Sequence, residues 1–409
     1  MPRQEFSERT RRVHTSPTQR VAQEADRLRR QGVDVVNLGP GEPDAATPEH
    51  IKNAGKTALD KNFTKYTPNL GVPELRDAIC DRYFSDYGVT FDSDNVIVSA
   101  GGKQALFNVA MAILNPGDEA ITHAPGWPTI VDQVSLVDAR PVVVRTHADD
   151  GFQVRADTVL DGLTPHTRMI VINSPSNPTG GLISEEDLRA IAVAVRARDI
   201  WIVLDLCYER LIYDVIAHNL PAVLQEVLPE RSVFVGSLSK TYAMTGWRCG
   251  WAVGPRALIA SCDNIQSHCT SGASSVSQRA GIAALTESQA CVTAMRDEYR
   301  IRRDMLITWL SQEPRITCSV PAGAFYLFPD ISELLSPATL RTSLAFTTML
   351  LRHGHVAVTA GEAFDAPGFL RLSYAASLDR LSEGVDRIMA FIATLDRGEI
   401  RDENRDQRA

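Results

Sequence analysis

Short apolar segments that alternate with helical stretches are the feature that most limits the fold of this chain. The segments are largely apolar at consecutive positions, which is typical of strands that are buried on both faces. They are Asn95–Ser99, Glu119–Thr122, Arg140–Val144, Met169–Asn173, Ile200–Asp205 and Ser232–Val235. Helical stretches separate several of them, such as the one that Ser184 opens with a capping pattern. The sequence therefore predicts an α/β fold with a mostly parallel sheet covered by helices.

The length of 409 residues exceeds the roughly 250–300 residues that one hydrophobic core usually serves, so we expect more than one domain. We expect an N-terminal arm at 1–50, a large domain at 51–290 and a smaller α+β domain at 291–395. The arm joins the smaller domain, whose strand candidates are Gly323–Phe328 and Phe369–Tyr374. Residues 396–409 are nearly all charged and are predicted to be a disordered tail.

Charge and cysteine content exclude several classes of function. The net charge is −8 and no basic stripe is present, which argues against a nucleic-acid surface. The seven cysteines are scattered and form no C-x-x-C pair, so neither a disulfide framework nor a zinc site is expected. The first residues lack an apolar signal core, and no apolar span is long enough for a membrane helix. The sequence predicts a cytoplasmic protein that acts on small molecules, with no membrane partner.

Lys240 directly follows the predicted strand that begins at Ser232, where a charged ammonium would be costly to bury. A neutral amine in such a place is a nucleophile that can condense with a carbonyl group. The flanking hydroxyl of Ser237 and the guanidinium of Arg248 suit an anionic phosphate. Pyridoxal phosphate has both the aldehyde and the phosphate, although on this segment alone Lys240 could equally be a solvated loop residue.

Three distant segments supply further contacts for the same cofactor. Gly101 and Gly102 join a predicted strand to a helix start, where backbone N–H groups and the helix dipole favour an anion. By itself this segment is more often only a tight turn. Asp205 ends the most apolar predicted strand, and its carboxylate can pair with a protonated pyridine nitrogen. Tyr208 and Asn177 can both hydrogen-bond to the phenolic oxygen of the ring.

With these motifs together, the chain from about residue 15 to 390 resembles the fold-type I pyridoxal-phosphate enzymes of the class I aminotransferase family. The motifs are K-Y-T-P-N-L-G at 65–71, S-A-G-G-K-Q-A-L at 99–106, N-S-P-S-N-P-T-G at 173–180, D-L-C-Y at 205–208, S-L-S-K at 237–240 and G-W-R-C-G at 246–250. The resemblance implies that Lys240 binds the cofactor covalently and then carries the proton between substrate and cofactor. It also implies that Lys103, through its backbone amide, helps to hold the phosphate, and that Trp127 stacks on the ring.

The resemblance extends to the quaternary structure and the substrate. Tyr66 is similar to a tyrosine that reaches the phosphate of the neighbouring subunit, which implies a homodimer with shared active sites. Arg371 is similar to the arginine that grips the substrate α-carboxylate, a bidentate task for which lysine is a weak substitute. Gly41, Trp127 and Asn177 are also expected at the substrate.

Within the family, the chain most resembles bacterial aspartate aminotransferases that recognise the distal carboxylate with a lysine. Lys103 occupies that position, and Thr18, with Ser16 as a further candidate, falls where the N-terminal arm adds hydroxyl groups. The resemblance implies a ping-pong reaction in which L-aspartate and 2-oxoglutarate give oxaloacetate and L-glutamate.

One departure from the family pattern leaves alternatives open. Leu206 stands where the family commonly has an acidic residue, and Cys207 follows it. Aromatic or prephenate transamination and alanine transamination are therefore alternatives. β-Elimination or cyclisation is a separate alternative, because the same site chemistry can support it. A cofactor-binding transcriptional regulator is disfavoured, because the arm before Gly32 is too short for a DNA-binding domain and the net charge is acidic.

Overall fold

A seven-stranded sheet forms the centre of the computed structural model, which describes residues 6–13, 17–215, 217–336 and 340–399. The order across the sheet is Val96–Ser99, Gly250–Val253, Ser232–Ser237, Trp201–Asp205, Thr167–Asn173, Glu119–Ala124 and Arg140–Arg145. Only Gly250–Val253 runs antiparallel to its neighbours. The predicted mostly parallel sheet is confirmed, and every strand predicted for it is present.

Gly250–Val253 is the strand of this sheet that the sequence prediction missed. It begins at a glycine, and the preceding residues Thr245–Trp247 form a 3-10 turn. It pairs with the nearby strand Ser232–Ser237 and with the strand Val96–Ser99, which is distant in sequence and so cannot be found from a local pattern.

Helices cover both faces of the sheet. In the strand Thr167–Asn173, Met169 and Val171 belong to one hydrophobic cluster, whereas Ile170 and Ile172 belong to another. Because successive side chains of a strand point to opposite faces, each face has its own core. The helices are Glu8–Arg12, Pro17–Arg30, Glu49–Asp60, Pro73–Tyr87, Gly102–Ile113, Pro128–Leu136, Ala156–Asp161, Glu185–Val195, Leu220–Val227, Leu238–Thr241, Arg256–Cys269, Ser275–Thr286, Ala290–Leu310, Ser343–Met349 and Leu378–Asp396.

A further core is built from segments near the two ends of the chain. Val36 and Leu38 pack in it with side chains from the long helices Ala290–Leu310 and Leu378–Asp396. Its strands are Val36–Asn37 with Val356–Ala357, and the antiparallel set Thr359–Ala360, Leu370–Ser373 and Tyr326–Leu327. The last helix extends to the first residue of the predicted tail, and residues 400–409 lie outside the described residues.

The parallel strands end together and so place polar side chains at one edge of the sheet. Asn173 is paired with Asp205, and Asp205 is paired with Val235, two residues before Ser237. Ligands of such sheets bind outside the carboxyl ends of the strands. Within the described ranges, no helix is long and apolar enough to cross a membrane.

Candidate active site

A cavity of about 510 Å³ opens at the carboxyl edge of the sheet, between the sheet and the core built from the chain ends. Residues from both regions line it. The predicted site residues among them are Gly41, Gly102, Lys103, Trp127, Asn177, Asp205, Tyr208, Ser237, Lys240, Arg248 and Arg371. The structure thus brings most of the predicted site together, although these residues span much of the chain.

Lys240 lies in the short helix Leu238–Thr241, which follows the strand Ser232–Ser237 and is capped by the Ser237 hydroxyl. Its Nζ donates a hydrogen bond to the backbone carbonyl of Gly41. Burial, helped by the nearby guanidinium groups of Arg371 and Arg248, lowers the pKa of Lys240 to about 8. About a tenth of the amine is therefore neutral at pH 7, far more than for an ordinary lysine, and can act as a nucleophile.

The turn that precedes the helix Gly102–Ile113 has the shape of a phosphate cradle. Gly101 has a φ of 87°, and a Cβ at this position would lie 2.5 Å from Nη2 of Arg248. Arg248 is held there because its Nη1 donates to the Thr245 carbonyl (2.8 Å) and its Nη2 to the Ala100 carbonyl (3.2 Å). A guanidinium beside a helix N-terminus is a favourable site for a phosphate group.

Asp205 is 1% exposed at the end of its strand and accepts a hydrogen bond from the Cys207 backbone N–H (3.1 Å). Burial raises the pKa of its carboxyl group. It forms an ion pair with no residue in the described ranges. A buried carboxylate that faces a cavity without a protein counter-ion fits a ligand that brings its own positive charge, such as a protonated pyridine ring.

Arg371 lies in the strand Leu370–Ser373 and is 3% exposed. Its Nη1 donates to Oδ1 of Asn177 (2.9 Å) and its Nη2 to the Gly39 carbonyl (2.7 Å), while its buried Nε has no hydrogen-bond partner. The guanidinium carbon lies 4.4 Å from the ring centroid of Tyr326 and 4.9 Å from that of Phe364. A buried guanidinium without a carboxylate partner among the described residues is suited to bind an anionic ligand.

Lys103 and Trp127 form another part of the cavity wall. The ammonium nitrogen of Lys103 lies 4.9 Å from the centroid of the Trp127 ring, a favourable cation–π arrangement. Burial lowers the pKa of Lys103, and the charge of Arg248 adds to this effect. Lys103 thus lines the same cavity as Arg371 and Lys240.

Gly101 and Tyr66 are predicted site residues that do not line the cavity, although Gly101 lies beside Arg248, which does. Tyr66 is 98% exposed in the single chain. Thr18 lies in the helix Pro17–Arg30, but its side chain and all of Ser16 fall outside the described residues. Leu206 does not line the cavity either, because it is 3% exposed in the hydrophobic core on one face of the sheet. The side chain at this departure from the family pattern thus lies apart from the site.

The sequence prediction missed Tyr326 and Glu42, which both line the cavity. The Tyr326 hydroxyl lies 2.9 Å from that of Tyr208, and its ring packs against Arg371. The aromatic run that contains Tyr326 predicts a strand. Because alternate side chains of a strand point to opposite faces, one of them can face a cavity, but the run itself does not indicate which. Glu42 accepts a hydrogen bond from the Thr245 hydroxyl (2.9 Å).

Comparisons with known proteins agree with this geometry. Residues 33–388 match the family model for aminotransferases of class I and II. The chain is 38% identical to an aspartate aminotransferase of Rhizobium meliloti (92% of this chain, 94% of the relative). It is 39% identical to an aspartate/prephenate aminotransferase of Cereibacter sphaeroides (94% and 98%).

Solved structures show the same similarity over nearly the whole chain. The crystal structure of the aspartate aminotransferase from Rhizobium meliloti superposes with a TM-score of 0.91 at 37% identity, covering 96% of this chain and 99% of that one. The aspartate aminotransferase of Thermus thermophilus with maleate gives a TM-score of 0.90 at 37% identity, covering 95% and 100%. The chain therefore belongs to the class I and II aminotransferase family.

Proposed function

We propose that this aminotransferase uses pyridoxal phosphate to transfer the amino group of L-aspartate to 2-oxoglutarate. The observation that carries the choice of substrate is the presence of two cations, Arg371 and Lys103, in the cavity that holds Lys240. A dicarboxylic amino acid has one carboxylate for each of them. The names of the relatives, which are aspartate or aspartate/prephenate aminotransferases, support the same choice.

The cofactor, when bound, withdraws electrons from the substrate α-carbon. The carboxylate of Asp205 holds a proton on the pyridine nitrogen, which requires a negative charge at this buried position. The Lys240 amine would take and hold the proton of the substrate α-carbon, a role for which a pKa of about 8 is well matched. Tyr208 and Asn177 would hold the ring oxygen of the cofactor, and Trp127 would pack against its ring.

Arg371 binds the α-carboxylate, which every amino acid substrate carries. Asn177 and the Gly39 carbonyl hold its two terminal nitrogens, and the rings of Tyr326 and Phe364 fix the plane of the guanidinium. Because these contacts exist before a substrate enters, little conformational entropy is lost when the carboxylate binds. The orientation of the carboxylate in turn orients the α-proton towards Lys240.

Lys103→Gln tests the assignment of the distal carboxylate. We expect the catalytic efficiency for aspartate and glutamate to fall about 10- to 100-fold, because a hydrogen bond to a charged group is lost. The efficiency for alanine should change little. Rates with aspartate, glutamate, alanine and phenylalanine donors measure this in the wild type and the variant. Equal losses for all donors would show damage to the phosphate turn instead, and a wild type inactive with aspartate would refute the proposed substrate.

Prephenate is the second candidate acceptor, because relatives of this chain are named aspartate/prephenate aminotransferases. Prephenate also carries two carboxylates, so the same pair of cations suits it. The 2-oxo acids to compare are therefore 2-oxoglutarate and prephenate, each with aspartate as donor. A higher catalytic efficiency with prephenate would reassign the preferred acceptor without changing the roles of Lys103 and Arg371.

The protein is further proposed to work as a cytoplasmic homodimer. The support for the dimer is Tyr66, which is 98% exposed in one chain although it belongs to a motif of the cofactor site. Its hydroxyl would reach the phosphate bound by a second copy. A mass in solution close to that of one chain, 44.8 kDa, would contradict the proposed dimer.

We also propose that residues 51–290 form the cofactor domain, and that residues 291–395 form the smaller domain with the arm at 1–50.

A further inference from the structure

The loop between the strand Val36–Asn37 and the helix Glu49–Asp60 contacts both key cations of the site. Its Gly39 carbonyl accepts a hydrogen bond from Nη2 of Arg371 (2.7 Å), and its Gly41 carbonyl accepts one from Nζ of Lys240. Leu38, at its start, is hydrogen-bonded through its backbone to Ala357 and Ser373, but residues 39–48 lie in no helix or strand. The position of these carbonyls therefore depends on how the side chains of the loop are anchored.

Asp44 anchors the loop to the helix Ala290–Leu310. Both of its carboxylate oxygens accept hydrogen bonds from Nη1 of Arg302 (2.9 Å each), and Oδ1 also accepts one from the Tyr299 hydroxyl (3.1 Å). Arg302 is 6% exposed and Tyr299 is 1% exposed, so the partners of Asp44 are rigidly packed. A carboxylate held by a buried guanidinium and a buried hydroxyl has little freedom to move.

Other side chains anchor the loop to the cofactor side. The carboxylate of Glu42 accepts a hydrogen bond from the Thr245 hydroxyl (2.9 Å), and the Thr47 hydroxyl donates to the Ala243 carbonyl (2.6 Å). These contacts lie on the Lys240 side of the site. Asp44 is thus the acidic side chain that ties the loop to the helix Ala290–Leu310.

We infer that Asp44 is a positioning residue for substrate binding. Arg302 and Tyr299 fix Asp44, and Asp44 fixes the loop whose Gly39 carbonyl takes one N–H of Arg371. Arg371 lines the cavity, so a fixed Gly39 carbonyl fixes the orientation in which its guanidinium meets a ligand. This inference rests on the proposed role of Arg371 in binding the substrate α-carboxylate, but not on which amino acid is the substrate.

Asp44→Asn tests the inference, because asparagine keeps the size of the side chain and loses its charge. We expect KM for the preferred amino donor to rise about tenfold while kcat changes little, since displacements of about 1 Å at a binding site have effects of this order or larger. The carboxylate is bound equally in the ground state and the transition state, so the loss falls on KM. The dissociation constant of maleate, titrated into the holoenzyme, should rise by a similar factor.

Asp214→Asn is the matched control, because Asp214 pairs with Arg303, the next buried arginine of the same helix. It should lower the unfolding temperature as much as Asp44→Asn but leave KM and maleate binding unchanged. Equal effects of both variants on KM, or an unchanged maleate affinity in Asp44→Asn, would overturn the inference. Asp44→Glu keeps the charge but lengthens the side chain, so its affinity for maleate should lie between those of the wild type and Asp44→Asn. Wild-type affinity in Asp44→Glu, together with a tenfold loss in Asp44→Asn, would also support the inference.

The inference and the proposed substrate fail in different ways. If the wild type is inactive with aspartate, the proposed substrate is wrong, and Asp44→Asn is then measured with the best donor found. If aspartate is the preferred donor and KM is unaffected in Asp44→Asn, the positioning role is wrong and the substrate stands.

Discussion

Replacing Lys240 by alanine is expected to lower kcat by about 10⁴-fold, because the variant loses the group that moves the proton at the substrate α-carbon. The cofactor should still bind, since Asp205 and the turn at Gly101 and Gly102 remain. It should no longer be linked covalently to the protein. Steady-state turnover measures the first effect, and the visible absorbance band of the covalently bound cofactor measures the second.

Borohydride reduction of the wild-type holoenzyme, followed by peptide mapping, gives an independent check of the same residue. The cofactor should be fixed to Lys240 in the wild type and to no lysine in the variant. Lys61→Ala is a suitable control, because Lys61 is exposed at the end of the helix Glu49–Asp60. Near-normal turnover in Lys240→Ala, or attachment to another lysine in the wild type, would refute the assignment.

Arg371→Lys is expected to lower the catalytic efficiency for every amino donor about 100-fold. The guanidinium donates hydrogen bonds to Asn177 and to the Gly39 carbonyl and still has N–H groups for a substrate carboxylate. The ammonium group of lysine is a point charge and cannot reach all three acceptors at once. Hydrogen bonds to charged groups contribute about 1.5–3 kcal/mol, which corresponds to a loss of this size. The loss should be similar for aspartate and for alanine, since both carry the α-carboxylate.

Arg303→Lys provides the comparison for this variant. Arg303 is also buried, and its guanidinium lies 5.1 Å from the ring centroid of Tyr213, as Arg371 lies against Tyr326. Because Arg303 does not line the cavity, its replacement should reduce thermal stability and leave the catalytic efficiency nearly unchanged. If both variants lost the same catalytic efficiency, the loss in Arg371→Lys would come from damage to the structure and not from weaker substrate binding.

The parts of the site that follow predicted strands could be found from the sequence. Asp205 and Lys240 each follow an apolar run, and parallel strands bring their carboxyl ends to one edge of a sheet. The residue patterns around Arg371 and Trp127 do not by themselves indicate a function, so the prediction of their roles depends on the resemblance to a family. The predicted sheet needed only local patterns, because strands buried on both faces are apolar throughout.

Contacts between distant segments could not be found in this way. Asp44 and Arg302 are separated by 258 positions in the sequence. Aspartate and arginine are also common on protein surfaces, so neither residue stands out in the sequence. The pairing of Tyr326 with Tyr208 and the strand Gly250–Val253 likewise depend on partners far away in sequence. The lowered pKa of Lys240 arises from burial, which exists only after the chain has folded.

The most direct test of the central claim is a half-reaction without an acceptor. The holoenzyme is mixed with L-aspartate alone, and the products are identified together with the cofactor spectrum. We expect one equivalent of oxaloacetate per active site, conversion of the cofactor to its aminated form, and no ammonia. Release of ammonia with pyruvate or fumarate would show a lyase and would contradict the account.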